Sequence, residues 1–465
     1  MPYTCDVFVM GAGPGGYPAA IRAAQRGLNV IIAERTAVGG TCLNWGCIPT
    51  KALVASAEAF HTVKNAAAFG VINPEGAVID YAKAIERKDG VVKKLTGGIA
   101  QLLKAHGVTT VMGKARLVDQ NHAEVETADG TETVEFKNCI IATGSESARP
   151  RFIPFDDEKI VESKTFLSQT SLPSSVIIIG GGVVGCEFAG ILAECGTKVT
   201  IVEMLDRLLP LEDPEISKHI LRAFKKRKIE VMLGTGISDI AVTDSGVTGK
   251  VGETTIEAEK MLVAIGRSMN TADIGLDKVG IETERGFISV DEKMRTKLPN
   301  IYAIGDITGK ILLAHVATAQ GIVAAENCAG KDEKIDYRVV PSCIFTVPEI
   351  ASVGLSEPKA IEAGHEVTIA QFPIGALGKA LAMGETEGFF RLIADAKTDE
   401  LLGAQVMGAH ASDIIAELAL AVSQKMTAKQ LGDVIHAHPS LAEGVMEAAH
   451  AIHKLCVHQA PPRER

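Results

Sequence analysis

Two stretches of this chain follow one plan. "DVFVMGAGPGGYPAAIRAAQRGLNVIIAE" opens it, and "SVIIIGGGVVGCEFAGILAECGTKVTIVE" repeats the plan near the middle. Each has an apolar run, a G-x-G-x-x-G, a helical pattern, a second apolar run and an acid. The glycines are Gly11, Gly13 and Gly16 in the first copy and Gly180, Gly182 and Gly185 in the second. From Gly11 to Glu34 and from Gly180 to Glu203 the distance is the same, 23 residues. Such glycines permit a tight turn and let backbone approach a pyrophosphate at a helix N-terminus. The acid can accept from the hydroxyls of an adenosine ribose. A single G-x-G-x-x-G also describes a surface glycine turn; two complete copies are specific. The pattern predicts an α/β fold with two dinucleotide sites. Its first strand is expected over Val7–Met10 and its first helix to about Arg26, with Pro18 tolerated in the first turn. Glu203 would repel a 2′-phosphate, and "MLDRLLP" after it offers only Arg207, so NAD is favoured over NADP at the second site.

A chain of 465 residues suggests about three domains. The net charge of −10 weighs against a nucleic-acid surface. There is no apolar run long enough for a membrane span. The N-terminus has no basic leader, so a cytoplasmic protein is expected. No metal site is expected. Nine cysteines, an odd number scattered along the chain, do not resemble a secreted disulfide framework. Only Cys42 and Cys47 are close enough to suggest a local partnership.

That pair lies in "GGTCLNWGCIPTK", Gly39 to Lys51, with the only tryptophan, Trp45, between the thiols. The pair could be a staple, two free thiols or a redox couple. A staple across so short a loop adds little, and a reducing compartment would threaten it. A redox couple accounts for the placement better. "KALVASAEAF" follows as a helix, and a helix N-terminus beside Lys51 lowers a thiol pKa.

With these motifs the chain resembles the flavin-dependent pyridine nucleotide–disulfide oxidoreductases along essentially its whole length. "GGTCLNWGCIPTK" is similar to that family's redox-active motif. "TKLPNIYAIGD" is similar to its second flavin signature, in which Asp306 would hold the ribityl chain. "IIATGS", with Thr143 and Gly144, and "VAIGR", with Gly266, resemble the strand ends closing the two nucleotide domains. "HAHPSLAEG" resembles the C-terminal active-site motif. "CLNWGCIP" with His-x-His-Pro points to the lipoamide branch rather than the glutathione branch.

The resemblance implies two Rossmann-like dinucleotide-binding domains plus a C-terminal α+β dimerisation domain. The implied segments are an FAD-binding domain over 1–147, an NAD-binding domain over 148–274, a central domain completing the FAD site over 275–342, and an interface domain over 343–465. FAD would sit on the first device and NAD on the second. The implied activity is oxidation of dihydrolipoamide with reduction of NAD+. The implied partners are a second copy of the chain and the lipoyl domains or lipoylated carrier of a 2-oxoacid dehydrogenase or glycine cleavage system.

Roles follow from the same resemblance. Cys42 would meet the substrate, and Cys47 would lie against the flavin as a charge-transfer thiolate. Lys51 would sit by the flavin ring, with Glu187, in the first turn of its helix, pairing with it; a helix-dipole acid is the other reading of Glu187. His438 would take the proton from the dithiol, with His436 as the rival candidate or a structural histidine. Glu443 would orient His438, although Ser440-Leu-Ala-Glu443 also reads as a capping box with Ser440 as N-cap. Trp45 would line the channel to Cys42 or pack in the core. His315 falls where the family contacts the flavin. Gln320 stands where an acid is expected, and Met269 where a proline is. Cys456 stands alone near the C-terminus, where a mercuric reductase would have a cysteine pair. A flavoprotein scaffold without catalysis is the reading from another class, and every expected catalytic position being filled weighs against it.

Overall fold

The first strand, Tyr3–Met10, is buried on both faces from Val7 onward, which is why its sequence is a continuous apolar run. In this computed structural model, which describes residues 3–72 and 76–460, it pairs in parallel with Val30–Glu34 and Gly130–Ile141. Val9 faces Ile32 on one side and Ile140 on the other. The strand begins earlier than the sequence predicts because Tyr3–Cys5 continue the ladder against Val134–Phe136. Thr109–Met112 extends the sheet beyond Val30–Glu34, and Ile301–Ala303 pairs with the end of Gly130–Ile141. Two antiparallel strands, His122–Thr127 and Lys114–Leu117, complete it. Parallel neighbours need a crossover, and the helix Gly16–Gln25 supplies the first one. Arg22 and Arg26 at its end donate to the buried carboxylate of Glu326 on the helix Ala314–Cys328.

The second copy of the device repeats this construction. Ser175–Ile179 lies between Lys198–Val202 and Lys260–Val263, all parallel, with Glu230–Met232 outside Lys198–Val202. The crossover helix is Val183–Glu194. A three-stranded antiparallel sheet, Ser238–Val242, Val247–Val251 and Thr254–Ala258, is inserted before the last parallel strand.

The C-terminal region is different in kind. Its five strands are antiparallel, in the spatial order Ser342–Ile344, Ile350–Gly354, Leu401–Met407, Phe389–Asp395, Val367–Pro373. The helices Ala411–Ser423 and Glu443–Ile452 share one core with this sheet, including Phe372, Phe390, Val406, Leu418 and Val445. A Cβ at Gly444 would come 2.1 Å from the Phe390 ring, so the start of the last helix lies directly on the sheet.

The chain divides into two compact units. One takes in residues up to Asp157, Val161–Leu172 and Ile265–Asp336; the other takes in Glu158–Ile160, Pro173–Ala264 and the chain from Tyr337 onward. Among the described residues no helix is long and apolar enough to cross a membrane.

Candidate active site

The two glycine turns have the same geometry. Gly11 and Gly180 have φ of +104° and +106°, a region that L side chains rarely adopt. A Cβ at Gly16 would fall 1.8 Å from the Gly11 carbonyl oxygen, and one at Gly185 would fall 2.0 Å from that of Gly180. Around the middle glycine there is room. The nearest atom to a Cβ at Gly13 is 3.9 Å away, and nothing lies within 4 Å at Gly182. A pyrophosphate can approach the backbone there.

Two amides hold each acid in the same way. Glu34 accepts from Ala12 N–H at 2.8 Å and Thr36 N–H at 2.9 Å. Glu203 accepts from Gly181 N–H at 2.5 Å and Leu205 N–H at 2.8 Å. In each case the donors are the residue after the first glycine and the second residue after the acid. Both carboxylates are buried. Glu34 Oε1 also accepts from Ala37 N–H at 3.3 Å, and each carboxylate keeps lone pairs for ribose hydroxyls. The residues fit two dinucleotides. Arg207 donates to Pro210 O at 2.9 Å.

The cysteine stretch is packed on the first of these turns. Gly39 N–H donates to Ala12 O at 2.8 Å, and a Cβ at Gly40 would lie 2.7 Å from Gly13 Cα. The stretch is more helical than a turn. Gly40–Trp45 is a short helix containing Cys42, Gly46 breaks it, and Cys47 is the first residue of the helix Cys47–Lys64. Cys47 is exposed and Cys42 half-buried. A hydrogen bond with Cys47, followed by burial, pushes the Cys42 thiol well above its ordinary range; the Lys51 ammonium acts the other way. Cys47 opens its helix, where the helix dipole favours a negative charge.

Around Asp306 three side chains meet that are far apart in sequence. Ser145 Oγ donates to Asp306, and Arg267 donates to Ser145 Oγ at 2.5 Å and lies 3.6 Å from the Asp306 carboxylate. Thr143 Oγ1 donates to Asn270 O at 2.8 Å, and Asn270 returns a bond to Thr143 O at 3.0 Å. Gly144 and Gly266 both have positive φ. Gln320, fully buried, accepts from Gly305 N–H at 2.6 Å. Its amide oxygen thus does the accepting for which a carboxylate is expected. Met269 ends the strand Arg267–Met269, opposite Ser145. His315 is exposed, the second residue of its helix.

In the C-terminal region His438 Nδ1 lies 2.8 Å from Glu443 Oε1, and Ser440 N–H donates to Glu443 Oε2 at 2.8 Å. The two readings of Glu443 are therefore partly compatible, one oxygen for each donor. The capping box is only half made. The helix starts at Glu443 with Ala442 as N-cap, and the buried Ser440 hydroxyl has no partner. Burial opposes the charge on Glu443, but the Ser440 amide and the His438 ring outweigh it and hold the carboxyl below its usual range. The His438 side chain is 78% exposed. His436, by contrast, is 5% exposed and tied to Glu417 and Val434 O, both at 2.8 Å. Glu187 is the fifth residue of its helix, past the first turn where the sequence reading puts it. It is buried and accepts from Phe345 N–H at 3.0 Å, so a role as first-turn dipole acid does not apply.

Residues 5–321 match the family described as pyridine nucleotide-disulphide oxidoreductase, and residues 340–449 match its dimerisation domain. The chain belongs to this family. It is 43% identical to a dihydrolipoyl dehydrogenase of Chlamydia muridarum over 99% of both chains, and 43% identical to one of Bacillus subtilis, covering 97% of this chain and 99% of that one. Among solved structures it is similar to LpdA of Mycobacterium tuberculosis, with a TM-score of 0.90, 28% identity, and 96% and 99% of the two chains covered. It is also similar to the HOCl-induced flavoprotein disulfide reductase RclA of Escherichia coli in its Cu(II) complex, with a TM-score of 0.89, 27% identity, and 97% and 100% covered.

As a pyridine nucleotide-disulphide oxidoreductase with the family's dimerisation domain, the protein forms a homodimer. Its sequence motifs converge in two groups: Cys42, Cys47 and Lys51 on the first glycine turn, and His438 with Glu443 at the start of the last helix. The sequence reading missed the Ser145–Arg267–Asp306 link, the amides that hold the two acids, and the ring contact of Trp45. Lys164 Nζ stands 4.5 Å from the centre of that ring. No local pattern signals the bonds of Ser145 to Asp306 and Arg267 or the contact of Lys164 with Trp45, since these partners are separated by more than a hundred positions.

Proposed function

We propose that the chain oxidises protein-bound dihydrolipoamide to lipoamide through a Cys42–Cys47 redox disulfide and FAD, reducing NAD+ to NADH. The observation that carries this reading is the seating of the thiol pair on the first dinucleotide turn, through Gly39–Ala12 and Gly40–Gly13. The full-length likeness to dihydrolipoyl dehydrogenases supports the substrate.

FAD held on the first site would supply two-electron chemistry between the reduced cysteines and NAD+ held on the second. Gly11, Gly13, Gly16, Glu34, Thr143, Gly144, Asp306 and His315 are assigned to FAD, and Gly180, Gly182, Gly185, Glu203 and Gly266 to NAD. Lys51 would lie by the flavin, with Glu187 assigned as its partner. His438, contributed across the dimer and oriented at Nδ1 by Glu443, accepts the first thiol proton at Nε2 and releases it to solvent. The substrate thiolate attacks Cys42. The Cys42–Cys47 bond breaks, and Cys47 leaves as a thiolate at the start of its helix, where that charge is favoured. The second substrate thiol closes the lipoyl ring and gives its proton to Cys42, whose raised pKa retains it. Lipoyl domains or a lipoylated carrier present the substrate. A reducing, cytoplasmic setting belongs to the same reading.

An anaerobic reductive titration of the yellow holoenzyme tests the redox couple. It should consume two electron pairs per chain, one for the flavin and one for the disulfide. Consumption of a single pair would remove Cys42–Cys47 from the mechanism.

A further inference from the structure

The helix that carries Cys42 ends at Trp45, and the helix that carries Cys47 starts two residues later. Between them Gly46 has φ −137° and ψ −114°, outside the helical region, and Cys42 and Cys47 hydrogen-bond across it. A Cβ there would lie 2.9 Å from Thr41 O and 3.2 Å from Cys42 Cα, so the break is tightly folded. The start of the first helix is tied down by Thr41 Oγ1 to Ser145 O at 3.2 Å and by Asn44 Nδ2 to Gly40 O at 2.9 Å. Its end is held from a separate element, through Trp45.

That element is the short helix Ser163–Phe166, and it is a firm base. The buried Glu162 carboxylate accepts from Lys164 N–H at 2.6 Å and from Thr165 N–H at 3.1 Å. Ser163 Oγ lies 3.1 Å from Ser147 Oγ, and the buried Lys88 donates to Leu167 O at 2.9 Å. From this base the Lys164 side chain reaches out, with its ammonium 4.5 Å from the centre of the half-buried Trp45 ring. An ammonium over an indole face is attracted by the ring quadrupole, and Trp is the best ring for it.

We propose that Lys164 is a positioning residue for thiol–disulfide exchange: its ammonium on the Trp45 ring fixes the end of the Cys42 helix against the start of the Cys47 helix. Disulfide closure demands Cβ atoms about 3.5–4.5 Å apart. Small slippage at the Gly46 break therefore takes the sulfurs out of range of each other and slows the re-closure of the Cys42–Cys47 disulfide that every turnover requires. The contact does not touch substrate; it acts through the geometry of Cys42 and Cys47. This inference rests on the reading of that pair as the redox couple.

The test uses holoenzyme and the variants K164Q, K164R, W45L and K164Q/W45L. Anaerobic oxidation of free dihydrolipoamide is measured, with NADH-to-ferricyanide transfer as the reference for flavin loading. Trp45 emission is measured with iodide as quencher. Lys164→Gln should lower kcat for dihydrolipoamide by about two- to five-fold with KM held, and should raise iodide quenching. Lys164→Arg should restore most of both, and Lys164→Gln should add no loss to Trp45→Leu. Unchanged kcat, the same loss in the Trp45→Leu background, or an equal loss in ferricyanide reduction would each overturn the role. A wild-type holoenzyme inert to dihydrolipoamide would overturn the underlying reading and this role with it, whereas an active enzyme indifferent to Lys164→Gln overturns this role alone.

Discussion

Each oxygen of the Glu443 carboxylate serves one donor, the His438 ring and the Ser440 amide. Glutamine can accept at only one position, so Glu443→Gln must leave one of the two donors facing an N–H. Dihydrolipoamide oxidation should fall by about 10-fold or more, towards the ~10²-fold loss expected on removing a general base altogether. NADH-to-dye transfer, which does not use His438, should fall far less; steady-state assays of both reactions check this, and equal losses would contradict the assigned role. The carboxylate of Glu203 also makes a prediction. It is buried, fixed by two amides and acidic where a 2′-phosphate would lie. Like charges brought together there cost several kcal/mol, so NADPH should bind about 100-fold more weakly than NADH or worse. Competitive binding measured by flavin reduction distinguishes the two.

Helix ends and strand ends are where elements of this chain depend on single residues. Asp213 caps the helix Pro214–Lys226 through Glu215 N–H at 2.9 Å, and its other oxygen takes Arg391 at 2.9 Å. Both side chains are buried, at 2% and 7% exposure. Asp213→Ala removes the cap and half of a buried ion pair. It should cost about 3 kcal/mol, the lower end for such a break, because Glu357 still touches Arg391. Denaturant unfolding of the holoenzyme measures it. Beyond the last helix, Cys456 Sγ donates to the buried Glu447 at 3.0 Å. Burial and this bond push the thiol up to about 11. The folded value lies above the ordinary thiol value of about 8.5. The contact's contribution to stability is therefore complete below that value and is lost as pH rises through about 11. Alkylation of Cys456 at pH 8 should be about 100-fold slower than that of a free thiol, and Glu447→Gln should speed it. Such element-level contacts were hidden in the sequence. Asp213 and Arg391 lie 178 positions apart, and "SLAE" before the last helix carries the capping spacing without the hydroxyl bond that defines it.

Across the whole chain, what could be read in advance followed from local physics. The glycine turns and their acids are set by neighbours within 23 residues, so both devices were legible as motifs, though not the amides that hold the acids. The Cys42–Cys47 pair was legible as a pair, but its two-helix setting around Gly46 was not, because a helix of six residues leaves no periodic trace. The Asp306 site was legible only by likeness, since Ser145 and Arg267 reach it through folding of distant strands. The antiparallel C-terminal sheet had no motif of its own, and there the family match carries the dimer. The central claim joins these parts: one thiol pair on one nucleotide turn carries electrons from a dithiol to NAD+. The direct test is NAD+ reduction by dihydrolipoamide under anaerobic conditions, with purified flavin-loaded protein and Cys42→Ser as control. Fast NADH formation that disappears in the control is the expected result. No turnover in wild-type protein that retains FAD would contradict the account.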